Sequence, residues 1–388
     1  MTEKLYQTEQ YKKECTAVVT AVDGNVVTLD RTIFAPEAGG QGSDTGTLQG
    51  IPVVHCSEKD GEVLHELAEP LKGVKPGDEV ELALDWMVRL DHMQNHCGEH
   101  ILSGILFTDH GIENKGFHLG SEISTLDAGI KDMPEEMVRE LEWKANQVVF
   151  RGLPVRVEML QNREDAEKYP LRKALKVDED ISVVIIDGVD CVACCCPHPA
   201  DTSQVGLIKI IRTEHYKGMT RVYFKCGMRA LKDYALKHDI VTQLNKKYSS
   251  EDETLLENMK IQEGKVNALR SELYTLKGRF AQIEAETLIA AADRAVAHEF
   301  DDRSLDELKF LGKRLTEKTE MPVILSSTAC NTVLLTHSGK SGLKCGQVVK
   351  EFAVGFGGKG GGSDTLAQAL FTDVEIMRNF VNIALHSV

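Results

Sequence analysis

Residues 93–107 read MQNHCGEHILSGILF, and the rest of the chain is best read outward from them. The pattern predicts a helix over Met93–Phe107. His96 and His100 lie four apart, so both imidazoles leave one face about a turn apart, the way a helix offers two nitrogens to a metal ion. Two histidines at that spacing also occur by chance. A second motif, Cys194-Cys195-Cys196-Pro197-His198, adds a thiolate and an imidazole in a short loop that leaves a strand. Together His96, His100, Cys194 and His198 make a tetrahedral donor set of three nitrogens and one sulfur, the chemistry that suits Zn2+. The helix motif also matches H-x-x-E-H, the inverted zinc-peptidase pattern with Glu99 as general base. That peptidase design keeps a carboxylate ligand and an open position for water. Here Cys194 and His198 stand ready instead, so the peptidase reading is the weaker one.

Ahead of this helix the chain reads as β structure. Strand-like runs at Thr16–Thr20 and Val26–Asp30 flank the hairpin signal Asp23-Gly24-Asn25, and further runs follow at Ile51–Val54, Glu62–Leu64 and Glu79–Leu84. Short, closely spaced strands of this kind fit a small barrel over residues 1–85. Residues 86–227 read as an α+β domain. It has helices at Met93–Phe107, Pro134–Val149 and after Asn162, and strands at Pro154–Met159, Ile181–Ile186, Val205–Ile211 and Thr220–Lys225. Residues 228–292 read as a long helical region. Within it Val266, Leu269, Leu273, Leu276, Phe280 and Ile283 step by three and four, as in a coiled coil or a helix packed along its own domain. Residues 293–388 read as a small α/β domain in which the loop Gly357–Gly362 opens a helix, Asp364–Leu370. The expected fold class is therefore α+β and multidomain, in four parts: barrel, zinc-binding domain, helical linker, small α/β domain.

Composition bounds the function. Of the 388 residues 42% are hydrophobic and 27% charged, as in ordinary globular proteins. No apolar run reaches the ~18 residues needed to cross a bilayer, and the polar start MTEKLYQTEQYKKEC lacks the core of a signal peptide. A cytoplasmic protein is expected. In a reducing compartment the cluster Cys191, Cys194, Cys195 and Cys196 points to metal or redox chemistry rather than disulfides. The net charge of -15 argues against indiscriminate nucleic-acid binding. Locally the balance reverses: between Val205 and Lys247 ten Lys or Arg face three acids, which marks either a solvated surface or a phosphate-contacting face.

Residues 31–46, RTIFAPEAGGQGSDTG, resemble the T-x-F-x-P-E-x-G-G-Q-x-x-D-x-G signature of alanyl-tRNA synthetase editing domains. Asp85-Trp86, Arg89 and Met93-Gln94 resemble the approach to the family's H-x-x-x-H helix, and Cys194–His198 takes the place of its C-x-x-x-H. Gly357–Gln368 is similar to the glycine-rich loop of the synthetase's C-terminal domain. The likeness spans nearly the whole chain in the family's order, and matches the long form of the free-standing editing proteins called AlaX. With no room for a synthetase core, the chain is not expected to charge tRNA. The family's usual H-T-A-x-H here contains Cys97-Gly98-Glu99, and C-G-G-T-H here reads Cys194-Cys195-Cys196-Pro197-His198. These changes are expected in the pocket, which leaves open the amino acid removed.

The resemblance implies hydrolysis of the ester between a wrong amino acid, serine or glycine, and tRNA(Ala), with zinc as cofactor. Glu99 is the candidate general base, against an exposed helix carboxylate. Thr32 and Gln41 are candidates for recognising the substrate's amino group or hydroxyl, and Gly39 and Gly40 for close backbone approach. Asp44 is expected to hold the turn. Arg221 and Lys225 on the basic strands, with Lys359 and Gly360 in the glycine loop, are candidates for gripping tRNA. Four protein ligands also fit a closed, structural zinc, so a non-catalytic RNA-binding protein is the alternative. The heptad seam would support a homodimer.

Overall fold

The computed structural model describes residues 1–388 and divides into two compact units, Met1–Gln243 and Leu244–Val388. No helix is long and apolar enough to cross a membrane. Beside a short parallel pair, Glu3–Lys4 with Arg31–Thr32, the first unit opens with six further strands: β1 (Glu14–Asp23), β2 (Val26–Leu29), β3 (Gly46–Leu48), β4 (Ile51–Lys59), β5 (Glu62–Leu67) and β6 (Glu79–Leu84). They pair in the order β1-β2-β5-β4-β3-β6 and close on themselves. The interior holds Val27, Leu29, Phe34, Leu48, Val63, Leu67, Val80 and Leu82. Alternation places them: in β5 the buried residues are Val63, His65 and Leu67.

His65 is a polar residue in that interior. Its Nδ1 faces the Val27 carbonyl at 3.1 Å, so Nδ1 carries the proton, and Nε2 accepts from the Thr32 hydroxyl at 2.7 Å. The Thr32 oxygen in turn accepts the Phe34 amide. Burial pushes the His65 pKa down to about 4. A base whose pKa is lowered on folding contributes stability present above its unfolded value of ~6.5 and lost as pH falls toward 4. The unit is therefore expected to lose on the order of 3 kcal/mol between those pH values through this group. Melting temperature against pH, wild type beside His65→Gln, checks it: the variant should lack that part of the acid slope, and an unchanged slope would refute the assignment.

After the barrel comes α1 (Trp86–His110), whose N-terminus is capped by the Asp85 side chain accepting from the Met87 and Val88 amides. It packs against two antiparallel sheets. The first is built from β7 (Asn114–Leu119), β8 (Ser124–Ala128), β12 (Ile208–Tyr216) and β13 (Met219–Cys226), in the order β12-β13-β8-β7. The second is β9 (Val155–Asn162), β10 (Glu179–Ile186) and β11 (Asp190–Ala193), in that order. Two glycines permit the close fit of α1. A Cβ on Gly98 would stand 2.2 Å from Cys226 Sγ, and one on Gly104 2.3 Å from the Val189 carbonyl. The helix α2 (Glu135–Arg151) completes this core with Leu141, Ala145 and Val149.

The helical region is not continuous. It consists of α3 (Gly227–Tyr248), which carries the division between the units, and α4 (Leu255–Ala290), separated by the polar run 249–254. Ser, Asp and Thr in that run favour caps and turns over helix interior. The buried residues of α4 are Leu255, Ala281 and Ala285, and the two alanines join the core of the second unit. The seam residues Leu269, Leu273, Phe280 and Ile283 are exposed, so the helix does not use its heptad stripe to pack in its own unit.

The second unit holds a five-stranded mixed sheet: β14 (Val296–Phe300), β15 (Val323–Ser327), β16 (Thr332–Thr336), β17 (Lys359–Gly362) and β18 (Leu366–Leu370), in the order β14-β15-β16-β18-β17. Alternate residues serve opposite faces. Val323, Leu325 and Leu334 meet the helix α5 (Leu305–Lys318), while Ile324, Val333 and Leu335 meet α6 (Val374–His386). The glycine-rich segment corrects the sequence reading. It is not a loop opening a helix but an edge strand paired antiparallel with β18. Residues 366–370, LAQAL, have helix-forming composition, yet Ala367 and Ala369 are buried alternately as a strand requires.

Candidate metal centre

Histidines 96 and 100 project from the middle of α1, and Cys194 and His198 from the turn that follows β11. The ligand atoms of all four lie within 4.8 Å of one another. The rings of His96 and His100 stack at 5.1 Å between centroids, with His198 edge-on to both. Cys194 Sγ sits 3.5 Å from His96 Nε2 and 3.4 Å from His198 Nε2.

Outer contacts fix which nitrogens face inward. Gln41 Oε1 accepts from His96 Nδ1 at 2.8 Å, and Asp190 Oδ2 accepts from His100 Nδ1 at the same distance. Such partners set the tautomer and leave each Nε2 free for a metal. His100 Nε2 is buried without a hydrogen-bond partner, as expected of an atom meant for an ion. Asp190 is held in turn by Arg172, whose Nε donates at 2.6 Å and Nη2 at 3.1 Å. On the other side, the His198 amide donates to Gln10 Oε1.

Protonation favours a ligand set too. A hydrogen bond from Cys196 and the neighbouring imidazoles outweigh burial and hold the Cys194 thiol well below the usual range, while Cys196 keeps its proton. Burial lowers His198 to about 4, leaving a neutral imidazole. Burial also opposes charge on His100, but Asp190 and Cys194 raise it to about 10. A proton and a metal ion are alternatives at that nitrogen. The group can hold a metal ion.

A cavity of about 500 Å3 opens on His96, His100 and Cys194, and is lined further by Gly39, Glu99, Asn114, Phe117, Arg172, Lys173, Ser182 and Cys195. Of the substrate-contact candidates, Gly39 alone reaches it. Thr32 is turned into the barrel against His65, and the Gln41 side-chain oxygen is engaged behind His96. Gly40 has φ +86° and packs on the Phe117 carbonyl, where a Cβ would come within 2.3 Å. The motif changes on α1 also divide: Cys97 and Gly98 face the core, and only Glu99 faces the cavity. Glu99 is buried and not an exposed helix carboxylate.

Among the tRNA-contact candidates, Arg221 is bidentate on Asp127, and Lys225 is paired with Asp233 at 3.1 Å. The basic stripe is thus largely neutralised in place. Lys359 and Gly360 lie on the edge strand β17. Sequence reading missed Asp190, Arg172 and Asn114. None stands in a motif, and their partners lie between 11 and 90 residues away.

Comparison with known proteins agrees with this geometry. Residues 181–223, which run from β10 through the Cys194–His198 turn into β13, match the threonyl and alanyl tRNA synthetase second additional domain. The alanyl-tRNA editing protein AlaX-L of Pyrococcus horikoshii is 29% identical over 95% of this chain and 94% of its own length. The chain is similar to an alanyl-tRNA editing protein over nearly its whole length. A second relative, the alanyl-tRNA editing protein Aarsd1-B of Xenopus laevis, is 29% identical over 74% of this chain and 69% of its own. The alanine–tRNA ligase of Pyrococcus abyssi is 30% identical over 96% of this chain, which spans 42% of that longer protein. In this chain the four candidate ligands and the barrel loop behind His96 lie within one compact unit.

Proposed function

We propose that this protein is a zinc-dependent deacylase that removes a wrongly attached amino acid, serine foremost and glycine besides, from tRNA(Ala). The observation that carries the reading is the set of three imidazoles and one thiolate beneath an open cavity, with the outer nitrogens of His96 and His100 already satisfied by Gln41 and Asp190. The donor chemistry fits Zn2+. When bound, such an ion polarises an ester carbonyl or a water molecule. The chain's own part is to hold the ligands in register, to wall the cavity with an Arg172 fixed by Asp190, and to admit an aminoacyl group past Gly39. With Thr32 turned away, Ser182 is the hydroxyl left along the cavity to read a serine side chain.

The tRNA body would meet the second unit through Lys359 and the strand edge at Gly360. Arg221 and Lys225 would exchange Asp127 and Asp233 for phosphates. The exposed α4 stripe would support a homodimer, and the four residue groups 1–85, 86–227, 228–292 and 293–388 would serve as barrel, editing domain, linker and tRNA-binding domain. The work of such an enzyme belongs in the cytoplasm. The second reading, a non-catalytic RNA-binding protein, is favoured by one feature: four protein donors complete a tetrahedron and leave no open position.

Deacylation of Ser-tRNA(Ala) beside Ala-tRNA(Ala) decides between them. A hydroxyl-reading pocket should favour the seryl ester by at least about a hundredfold in kcat/KM. Binding of tRNA without loss of either ester would leave the non-catalytic reading in place.

A further inference from the structure

Glu99 lies one residue before His100 and opens on the same cavity. All its protein partners sit on a single oxygen. The Ser103 hydroxyl and Asn114 Nδ2 donate to Oε1, and the Arg172 guanidinium stands 4.0 Å from it. Oε2 receives no hydrogen bond from the protein. Asp190, the carboxylate behind His100, has both oxygens engaged by His100 and Arg172. One guanidinium thus stands between two carboxylates and gives its hydrogen bonds to Asp190. Lys173, along the same wall, makes no ion pair with Glu99.

A carboxylate that is 4% exposed, with one oxygen spare, is costly to keep unless a cation comes to share it. An aminoacyl ester carries such a cation on the carbon next to its carbonyl: the α-ammonium. A carboxylate locked by two hydrogen-bond donors on one oxygen, with a guanidinium beside it, is also fixed in place, which suits recognition of a ligand group.

We infer that Glu99 Oε2 receives the α-ammonium of the aminoacyl ester, so that the cavity selects esters with a free amino group and turns away N-acylated ones. This rests on the deacylase reading. It gives Glu99 a binding duty in place of the general-base role its H-x-x-E-H position suggested. Serine, glycine and alanine esters share the α-ammonium, so Glu99 sets the class of substrate and leaves the choice among side chains to the rest of the cavity.

The test compares Ser-tRNA(Ala) with N-acetyl-Ser-tRNA(Ala) as substrates for wild type and Glu99→Gln. Metal content and melting temperature are followed to show that the variant is folded and loaded. Wild type should favour the free amine by on the order of a hundredfold in kcat/KM, the scale of one charge-assisted contact, and the variant should bring the ratio to within ~3-fold. Equal rates on both esters in wild type would overturn the inference. So would a variant that slows both esters by the same factor, the signature of a proton-transfer role. If wild type cleaves neither ester, the deacylase reading fails by itself. Calorimetric binding of the uncleavable 3′-seryl amide of 3′-amino-3′-deoxyadenosine, with and without N-acetylation, then decides the role of Glu99. A preference for the free amine that Glu99→Gln removes upholds it, and no preference overturns it.

Discussion

A chain carrying Cys194→Ala together with His198→Ala is expected to lose bound metal almost completely and deacylation by at least about a thousandfold. The two substitutions leave His96 and His100 alone on their helix. Two imidazoles cannot complete a site that prefers four donors, whereas Cys194→Ala by itself would leave three histidines, which is still a workable zinc set. The turn after β11 is anchored independently of any ion, by the Cys194 amide on the Ser182 carbonyl and the His198 amide on Gln10. The variant should therefore fold with the wild-type circular dichroism spectrum. Metal per chain by mass spectrometry and the rate on Ser-tRNA(Ala) are the two readouts. Near-wild-type metal content would show that the helix pair recruits another ligand, as an H-x-x-E-H peptidase would. Full activity without metal would remove the ion from the reaction altogether.

The ligand set was legible in the sequence because each half is local. Four-residue spacing on a helix puts His96 and His100 on one face, and Cys194 and His198 share a single turn, so the fold had only to bring two pieces together. The residues that make those ligands usable were not legible. Gln41 belongs to a motif, but the motif does not show that its oxygen meets His96 55 positions later. Asp190 and Arg172 sit in ordinary strand and loop sequence, and their pairing 18 residues apart is created by the path between β9 and β10. The direction of Thr32 was hidden for a related reason: it ends a two-residue strand, Arg31–Thr32, too short for alternation to show which way its side chain faces.

At the level of elements, long periodic helices and alternating strands could be read, since burial imposes those periods. The second unit shows where this breaks down. Residues 359–370 are glycine-rich and then helix-forming, and both propensities yield to sheet pairing, 359–362 with β18 and 366–370 with β16, in a sheet whose two faces are already covered by α5 and α6. The break between α3 and α4 was marked by six polar residues, too few to outweigh the helical pattern on either side.

Arg89→Met is expected to destabilise the first unit by about 3–5 kcal/mol, the range for leaving one partner of a buried pair uncompensated. Arg89 and Asp44 are both fully buried. The guanidinium donates to the Asp44 carboxylate, to the Gln10 carbonyl at 2.9 Å and to the Ile33 carbonyl at 2.6 Å, while Asp44 also takes the Ala35 amide at 2.7 Å. One side chain on α1 thus fastens both the residue-10 segment and the 33–44 loop. Those two segments carry Gln10, which holds the His198 amide, and Gln41, which holds His96. The ion pair therefore braces both halves of the ligand set without touching any ligand. Chemical denaturation of Arg89→Met, Asp44→Leu and the double variant separates charge from shape. Because an apolar pair can replace a buried ion pair at little cost, the double variant should be more stable than the sum of the singles predicts. Strict additivity would mean that the carbonyl and amide contacts, and not the charge pairing, hold the loop. A single variant within about 1 kcal/mol of wild type would mean that water reaches Asp44 and relieves its burial. In either case weaker metal retention in Arg89→Met than in wild type is expected, since the loop bearing Gln41 would no longer be tied to the helix bearing His96.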